Sequence, residues 1–239
     1  MKRFSAFAFL LCLAVPVSVA WAGDYQLPPN LIPLVSPEGR ALLLEAEGQR
    51  AFLPLVSQFT TQQTQEFCGV ASSVMVLNAL GVPAPVDPPY EPYRYFTQED
   101  FFSPETEAIL PRSSTTCTGM TLDQLAAQLR VHGATTRVVH AEDGSVSQFR
   151  DDIRTAFSED DTYVIMNYLG TAIGQTENFG HFSPIAALAP EGDRVLVLDV
   201  ARFVYAPFWA DTAELFAAMS APDSGNGNRS RGYVIVSRP

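Results

Sequence analysis

The chain has 239 residues, a formal charge of −11 and a sequence pI near 4.6. Hydrophobic residues make up 47% and charged residues 17%, which excludes an intrinsically disordered chain and a coiled coil. Because a general nucleic-acid binder needs clustered Lys and Arg to neutralise phosphates, the acidic charge excludes that class and predicts no nucleic-acid partner.

The N-terminus has the three parts of a secretory signal peptide, residues 1–22. A Lys-Arg pair precedes a nearly continuous apolar run over residues 4–19, and a small-x-small pattern places cleavage after Ala22. The run is short for a membrane span of ~20 residues and contains Pro16, so we expect a cleaved signal rather than an anchor. The protein is therefore predicted to be exported, periplasmic or secreted, with one folded domain over residues 23–239 and no stable membrane insertion.

Cleavage would also change the inventory of reactive side chains. It removes Lys2, the only lysine of the chain, and leaves Cys68 and Cys117 as the only cysteines. The loss of lysine excludes Schiff-base and lysine general-base chemistry. Two cysteines in an exported protein form a disulfide by default. A non-catalytic periplasmic binding module with a Cys68–Cys117 disulfide is therefore one hypothesis for this sequence.

The first half of the folded domain is predicted to be mainly helical. Residues 38–49 place apolar residues on one helical face, residues 53–59 form a strand-like apolar run, and residues 68–80 repeat apolar residues at helical spacing. Gly81 follows that last helix at a position that suits a left-handed C-terminal residue. Residues 82–112 are rich in proline and aromatics without periodicity, which predicts a long loop of the kind that often carries function.

The second half contains most of the predicted strands. Three helices are predicted from capping patterns at their starts, over residues 121–132, 145–157 and 211–219. Helices first and then several strands favour the α+β class with an antiparallel sheet. The strands are predicted over residues 137–140, 162–168, 181–188, 194–200 and 232–237.

Cys68 stands at the predicted N-terminus of helix 68–80. The unpaired N–H groups and the dipole at that end favour a thiolate over a thiol. Gly69 and Ala71 are small, so backbone or substrate is expected to approach the sulfur closely. This setting is typical of a cysteine nucleophile rather than of a cysteine buried in a core.

A cysteine nucleophile needs a base, and the base needs an orienting group. His132 and His140 fit helix-end and strand-end positions on the surface, whereas His181 opens a predicted strand after a polar loop. Asp199 ends an apolar run, where a carboxylate without a partner is costly. If the two strands are adjacent and antiparallel, Asp199 would lie near His181 and hold the imidazole in the correct tautomer.

Acyl-transfer chemistry also needs donors for the developing oxyanion. Gln62 lies six residues before Cys68, a spacing at which its side-chain N–H could donate beside the backbone N–H of Cys68. Gln63 and Gln65 are alternatives that the spacing alone does not exclude.

Longer motifs carry a resemblance to known enzymes. Gln-x5-Cys-Gly-x-Ala, followed by His and then Asp, resembles the papain-like cysteine peptidases. Residues 67–80, 180–184 and 198–203 are similar to the phytochelatin synthase family, and in particular to its short bacterial form. The similarity extends from about residue 34 to residue 239.

The resemblance implies a papain-like fold, with an N-terminal helical part packed on an antiparallel sheet. It implies that residues 23–239 are a catalytic domain that cleaves the Cys–Gly bond of glutathione, holds γ-Glu-Cys as a thioester and transfers it to water or to a second glutathione. It carries the nucleophile over to Cys68 and the base to His181. It carries the orienting acid over to Asp199 and the oxyanion donor to Gln62. Without the Cys-rich C-terminal region of the plant and fungal enzymes, we expect hydrolysis to be favoured over metal-stimulated polymerisation.

The α-carboxylate of glutathione needs an arginine, for which Arg202 and Arg231 are candidates, although each fits a solvated surface residue equally well. We expect no cofactor and no metal site, since the Cys and His outside catalysis form no close pair. Metal ions would then act as thiolate complexes of the substrate. The sequence leaves monomer and homodimer open.

One further hypothesis keeps the chemistry and changes the substrate. Leader-peptide peptidases of secreted bacteriocins also carry Gln-x5-Cys with a later His and Asp. They usually have Asp-Pro after the second strand, whereas here Asp199 is followed by Val200.

Overall fold

The computed structural model describes residues 27–47 and 49–239, and the predicted signal segment, residues 1–22, lies outside the described residues. The described part is α+β, as predicted. Its helices are α1 Pro37–Glu45, α2 Gln49–Ser57, α3 Cys68–Leu80, α4 Pro104–Ile109, α5 Arg112–Thr118, α6 Leu122–Val131, α7 Val146–Ser158 and α8 Thr212–Met219. Its strands are β1 Ile32–Pro33, β2 Thr135–His140, β3 Thr162–Leu169, β4 Gly180–Leu188, β5 Arg194–Val197, β6 Phe208–Asp211, β7 Pro222–Asp223, β8 Arg229–Ser230 and β9 Gly232–Ser237.

Seven strands form one antiparallel sheet in the order β1-β6-β5-β4-β3-β9-β2, and β7 and β8 form a separate hairpin. The central strands β3 and β4 are buried along almost their whole length. Since successive side chains of a strand point to opposite faces, this burial requires cover on both faces of the sheet. Helices α2, α3, α7 and α8 pack against these two strands.

Helix α3 is the buried helix of the fold. Of its 13 residues, all but Asn78 and Ala79 are buried. The helix ends at Gly81, which has φ 63° and donates its N–H to Asn78 and Leu77, so the predicted left-handed terminus is confirmed. One turn after Cys68, the Ser72 hydroxyl donates to the Phe182 carbonyl at 3.3 Å and so ties α3 to β4.

The capping predictions for the later helices are largely confirmed. Thr121 accepts from the Gln124 N–H at 3.2 Å, and the Gln124 side chain accepts from the Thr121 N–H at 2.9 Å, which completes a capping box. Ser145 accepts from the Gln148 N–H, and Asp211 accepts from two N–H groups at the start of α8. Local hydrogen bonding therefore sets where these helices begin.

The prediction for residues 38–59 is wrong in two respects. Residues 53–59 belong mainly to α2 rather than to a strand, because Ala51 and Leu55 are buried at helical spacing while Leu53 is exposed. The predicted helix 38–49 ends earlier, at the end of α1. There Glu47 exchanges backbone hydrogen bonds with Leu188 of β4, at 2.8 and 3.1 Å, and this long-range pairing interrupts the helical run.

Residues 82–112 contain more structure than the predicted loop. They include α4, whose N-terminal Ser103 forms a capping box with Thr106, and the start of α5. The short strands β1 and β6 were also not predicted, and β5 ends at Val197 rather than at residue 200. A strand of two to four residues carries too little periodicity to be recognised in a sequence.

Candidate active site

Cys68 is the first residue of α3 and is 6% exposed. Phe67 precedes it as the N-cap, and no side chain in the described part of the chain caps this helix. The first bond across the turn is donated by Ala71 to the Phe67 carbonyl at 2.8 Å. The N–H groups before Ala71 have no partner within the helix, so the backbone at Cys68 can donate to a negatively charged oxygen.

Position 69 is a glycine for a different reason from the predicted one. A Cβ at Gly69 would lie 2.7 Å from Sδ of Met120 and 3.3 Å from the Leu125 side chain. Gly69 therefore makes room for Met120, a side chain of the protein, rather than for substrate or for a neighbouring backbone.

The antiparallel pairing of β3 with β4 positions His181. His181 is the second residue of β4 and pairs with Tyr168 of β3. Its Nε2 lies 2.8 Å from Oδ1 of Asp199, which stands two residues beyond the end of β5. Oδ1 also accepts from the backbone N–H of Ala201 at 2.8 Å. The structure thus brings together the predicted histidine and aspartate, both buried.

Two side chains that sequence reasoning missed complete the surroundings of Asp199. The Tyr168 hydroxyl and the Gln175 amide both donate to Oδ2 of Asp199, each at 3.4 Å. The Tyr168 ring also meets the His181 ring edge-on, with 5.7 Å between centroids. Burial raises the pKa of Tyr168, so its hydroxyl stays protonated and acts as a donor. No local motif marks either residue, because both act across strands or loops.

The charge state of His181 follows from its neighbours. Burial lowers the pKa of His181, but the charge and hydrogen bond of Asp199, with a further contribution from Cys68, outweigh burial and raise this pKa to about 10. Since Nε2 is bound to Asp199, Nδ1 is the ring nitrogen left for the Cys68 sulfur. At neutral pH the arrangement therefore favours an imidazolium beside Cys68.

Gln62 lines the same cavity as His181, and its amide is already engaged. Nε2 donates to the backbone carbonyls of Thr64 and Gln65, at 2.9 Å each, while Oε1 is buried without a partner. The Gln62 backbone N–H donates to the Val200 carbonyl at 3.0 Å, one residue after Asp199. Both amide hydrogens thus hold the loop before Cys68, and one of these bonds must open before the side chain can donate to an oxyanion.

A cavity of about 290 Å³ opens beside Cys68, and Arg231 lines it. Nη1 of Arg231 donates to the carbonyls of Ala221 and Pro222, whereas Nε is buried without a partner. Burial lowers the pKa of Arg231, and the nearby Asp223 opposes that shift. Asn167 lines the same cavity, and its Oδ1 is also buried without a partner.

Gly180 leaves room for the side chains of Arg231 and Asn167. A Cβ at this position would lie 2.7 Å from Nε of Arg231 and 3.1 Å from Oδ1 of Asn167. The other candidate, Arg202, lines neither this cavity nor the one beside His181. Its guanidinium lies 4.5 Å from the centre of the Phe59 ring. The structure therefore brings Arg231 to the site and leaves Arg202 outside it.

The remaining cysteine and histidines have separate environments. Cys117 is exposed and lines the same cavity as Cys68, but both thiols are free, so the hypothesised Cys68–Cys117 disulfide is not formed. His140 is buried rather than on the surface, with Nδ1 2.6 Å from the Ser230 carbonyl. His132 binds the Phe101 carbonyl at 2.9 Å.

The described residues contain neither a cluster of metal ligands nor a membrane-spanning helix. Among residues 27–47 and 49–239, no three His, Cys, Asp or Glu side chains cluster as metal ligands would. Within the same part of the chain, no helix is both long enough and apolar enough to cross a bilayer.

Comparison with known proteins decides the family. A family model described as phytochelatin synthase matches residues 22–233. The chain belongs to the phytochelatin synthase family. Glutathione gamma-glutamylcysteinyltransferase 3 of Lotus japonicus is 35% identical over 92% of this chain and 46% of its own length. Glutathione gamma-glutamylcysteinyltransferase of Schizosaccharomyces pombe is 28% identical over 88% of this chain and 50% of its own length. The chain thus spans about half the length of these relatives.

The phytochelatin synthase match includes every residue of the site. Gln62, Cys68, His181, Asp199 and Arg231 all fall inside it. The match to the family begins at residue 22, where the predicted signal segment ends.

Proposed function

We propose that this chain is a papain-like acyltransferase that cleaves the Cys–Gly bond of glutathione. The observation that carries the proposal is the buried His181–Asp199 pair, 2.8 Å apart, next to Cys68 at the start of α3. The names of the relatives support glutathione as the substrate, since they describe γ-glutamylcysteinyl transfer from it.

In the proposed first step, the Cys68 thiolate attacks the cysteinyl carbonyl carbon of glutathione. A C–S bond forms, the carbonyl oxygen becomes an oxyanion, and the C–N bond to glycine then breaks. The imidazolium of His181 gives its Nδ1 proton to the departing amine, and free glycine leaves. Asp199 keeps the imidazole oriented and stabilises its charge, which is the role of the acid in such triads.

The oxyanion needs donors that are in place before the reaction. The backbone N–H at the start of α3 is one, because it has no helical partner. Gln62 is proposed as the second, by exchanging its bond to the Thr64 or Gln65 carbonyl for one to the oxyanion. If the bond to Thr64 opens, that carbonyl keeps the Phe67 N–H as a donor at 3.2 Å and is not left unpaired.

The γ-glutamyl end of glutathione is proposed to occupy the cavity beside Cys68. Its α-carboxylate would bind the guanidinium of Arg231, whose Nε has no partner, and its α-ammonium would face Asp223 and Oδ1 of Asn167. Nε of Arg231 and Oδ1 of Asn167 would then each gain a hydrogen-bond partner. Leaving a buried polar group without a partner costs free energy, so this pairing would favour binding.

The second step transfers γ-Glu-Cys from Cys68 to water or to an amine. The neutral His181 takes the proton of the attacking group, and the thiolate of Cys68 is regenerated. We propose that no resident metal takes part and that metal ions enter only as thiolate complexes of glutathione. We also propose export after removal of residues 1–22, which cell fractionation with N-terminal sequencing of the mature protein would test.

The test is direct. Purified protein, residues 23–239, is incubated with glutathione, and glycine and γ-Glu-Cys are measured by mass spectrometry. We expect glycine release from the unmodified sequence, its loss in Cys68→Ala and His181→Ala, and most of it retained in Cys117→Ser. A γ-Glu-Cys adduct on Cys68 should be trapped in short incubations. Equal loss in Cys68→Ser and Cys117→Ser, or no glycine release at all, would overturn the proposal.

A further inference from the structure

A second cavity, of about 100 Å³, lies on the His181 side of the site. Cys68 lines only the first cavity and His181 only the second, while Gln65 and Phe179 line both. The two cavities therefore meet at the cysteine–histidine pair. His181 can therefore be reached from the second cavity.

One wall of this second cavity presents a fixed carboxylate. The Tyr205 hydroxyl donates to Oε2 of Glu177 at 2.8 Å, and the Thr176 hydroxyl donates to Oε1 at 2.9 Å. The backbone N–H of Thr176 in turn donates to the Tyr205 oxygen at 3.1 Å. These bonds pin the loop before β4 to the loop after β5 and hold both oxygens of Glu177 in place.

Apart from His181, the other lining residues are neutral or apolar. In the proposed acyl-enzyme His181 is neutral, because it has given its proton to the departing glycine. Phe179 and Phe203 line the second cavity with rings that are 39% and 49% exposed, and Val204 adds an aliphatic surface. Among the described residues that line it, none is an arginine, and Glu177 is the only carboxylate. Burying an isolated negative charge beside Glu177 would be unfavourable, whereas an ammonium group would be stabilised.

We propose that the second cavity is the acceptor site for transfer, and that Glu177 selects primary ammonium groups attached to an apolar substituent. The inference rests on the proposed thioester chemistry and specifies which amines can compete with water. The favoured class is amino-acid amides and the N-termini of short peptides. Glutathione is a poor acceptor by the same reasoning, because its amine adjoins an α-carboxylate that would face Glu177.

The transfer step balances without a further reactant. The bound ammonium loses one proton to solvent, and the free amine attacks the thioester carbonyl carbon. A C–N bond forms, the C–S bond breaks, and the electron pair of that bond returns to Cys68 as a thiolate. The second amine proton passes to the neutral His181, which ends the cycle as an imidazolium.

The test compares two acceptors of equal size. Protein and glutathione are incubated with leucinamide or with leucine. Mass spectrometry then measures the ratio of the transfer product, γ-Glu-Cys joined to the added amine, to the hydrolysis product, free γ-Glu-Cys. The amide should give the higher ratio. Glu177→Gln should lower the ratio for leucinamide about fivefold, the scale of one partly exposed ion pair, and should narrow the preference over leucine. Glu177→Asp, which keeps the carboxylate, should give a leucinamide ratio between those of the unmodified protein and Glu177→Gln.

The matched control removes a carboxylate elsewhere. Glu191 lies exposed between β4 and β5, and Glu191→Gln should leave the ratio unchanged. A ratio that is the same in Glu177→Gln as in the unmodified protein, or no adduct with leucinamide while glycine is still released, would overturn this inference alone. Failure to release glycine from the unmodified protein would instead overturn the proposed function, so the two failures are distinguishable.

Discussion

Replacing Asp199 by Asn isolates the effect of one buried charge. The substitution keeps the size of the side chain and an oxygen that can accept from the Ala201 N–H, but it removes the negative charge 2.8 Å from Nε2 of His181. Asp199 is fully buried, so solvent screens this interaction very little. We expect the rate of glycine release to fall on the order of 10²–10⁴-fold, the scale seen when the acid of a catalytic triad is neutralised.

The pH dependence gives a second measure of the same change. In the unmodified protein the pKa of His181 is raised to about 10, so the imidazolium that protonates the leaving amine persists until the pH approaches that value. Without the Asp199 charge, burial becomes the larger influence and lowers the pKa of His181. The alkaline limb of the rate of glycine release should therefore move to lower pH in Asp199→Asn.

A neighbouring substitution provides the control. Tyr168→Phe removes a 3.4 Å hydrogen bond to Asp199 but leaves the carboxylate charged. We expect it to lose less than about tenfold in rate, with the alkaline limb close to its original pH, since one long hydrogen bond contributes ~1 kcal/mol. Thermal melts of both variants establish that they fold. An Asp199→Asn variant with the original rate and the original alkaline limb would refute the assignment of Asp199 as the orienting acid.

Three further predictions concern the surroundings of the site. Gln62→Ala should lower kcat for glycine release while changing KM little, because it should raise the activation free energy by roughly 3 kcal/mol. A pure KM effect, or a larger loss of kcat in Gln63→Ala, would contradict the oxyanion role. Gly69→Ala should lower stability by ~1–3 kcal/mol in denaturant melts, because its Cβ would lie 2.7 Å from Met120 Sδ. The double variant with Met120→Ala should not add the two losses, and additive losses would exclude this contact as the cause. Glycine release should continue in the presence of a chelator; stoichiometric metal lost together with activity would show a resident site.

Local patterns in the sequence determined many of the helices and where they begin and end. The helix from Cys68 to Leu80, its end at Gly81 and the capping box at Thr121 depend on neighbours within one or two turns, so the residues that specify them are adjacent in the chain. The pairing of His181 with Asp199 was also within reach, because two consecutive strands joined by a short connection tend to be antiparallel neighbours.

The tertiary structure decided the features that depend on distant partners. Glu47 ends its helical run by pairing with Leu188, and the carboxylate of Asp199 is held by Tyr168 and Gln175 from another strand and loop. The choice of Arg231 over Arg202 likewise follows from which guanidinium the folded chain turns towards the cavity.

The fixed carboxylate of Glu177 is the clearest feature that local sequence patterns could not predict. Its position comes from the contact of two loops, through Thr176 and Tyr205, which lie 29 residues apart in the sequence. Neither loop carries a periodic or capping signal that would reveal this contact. The sequence determined by itself the elements and the reactive residues that local hydrogen bonding and periodicity specify. Only the folded sheet decided which side chains meet at the site, because register and loop packing depend on contacts across the whole domain.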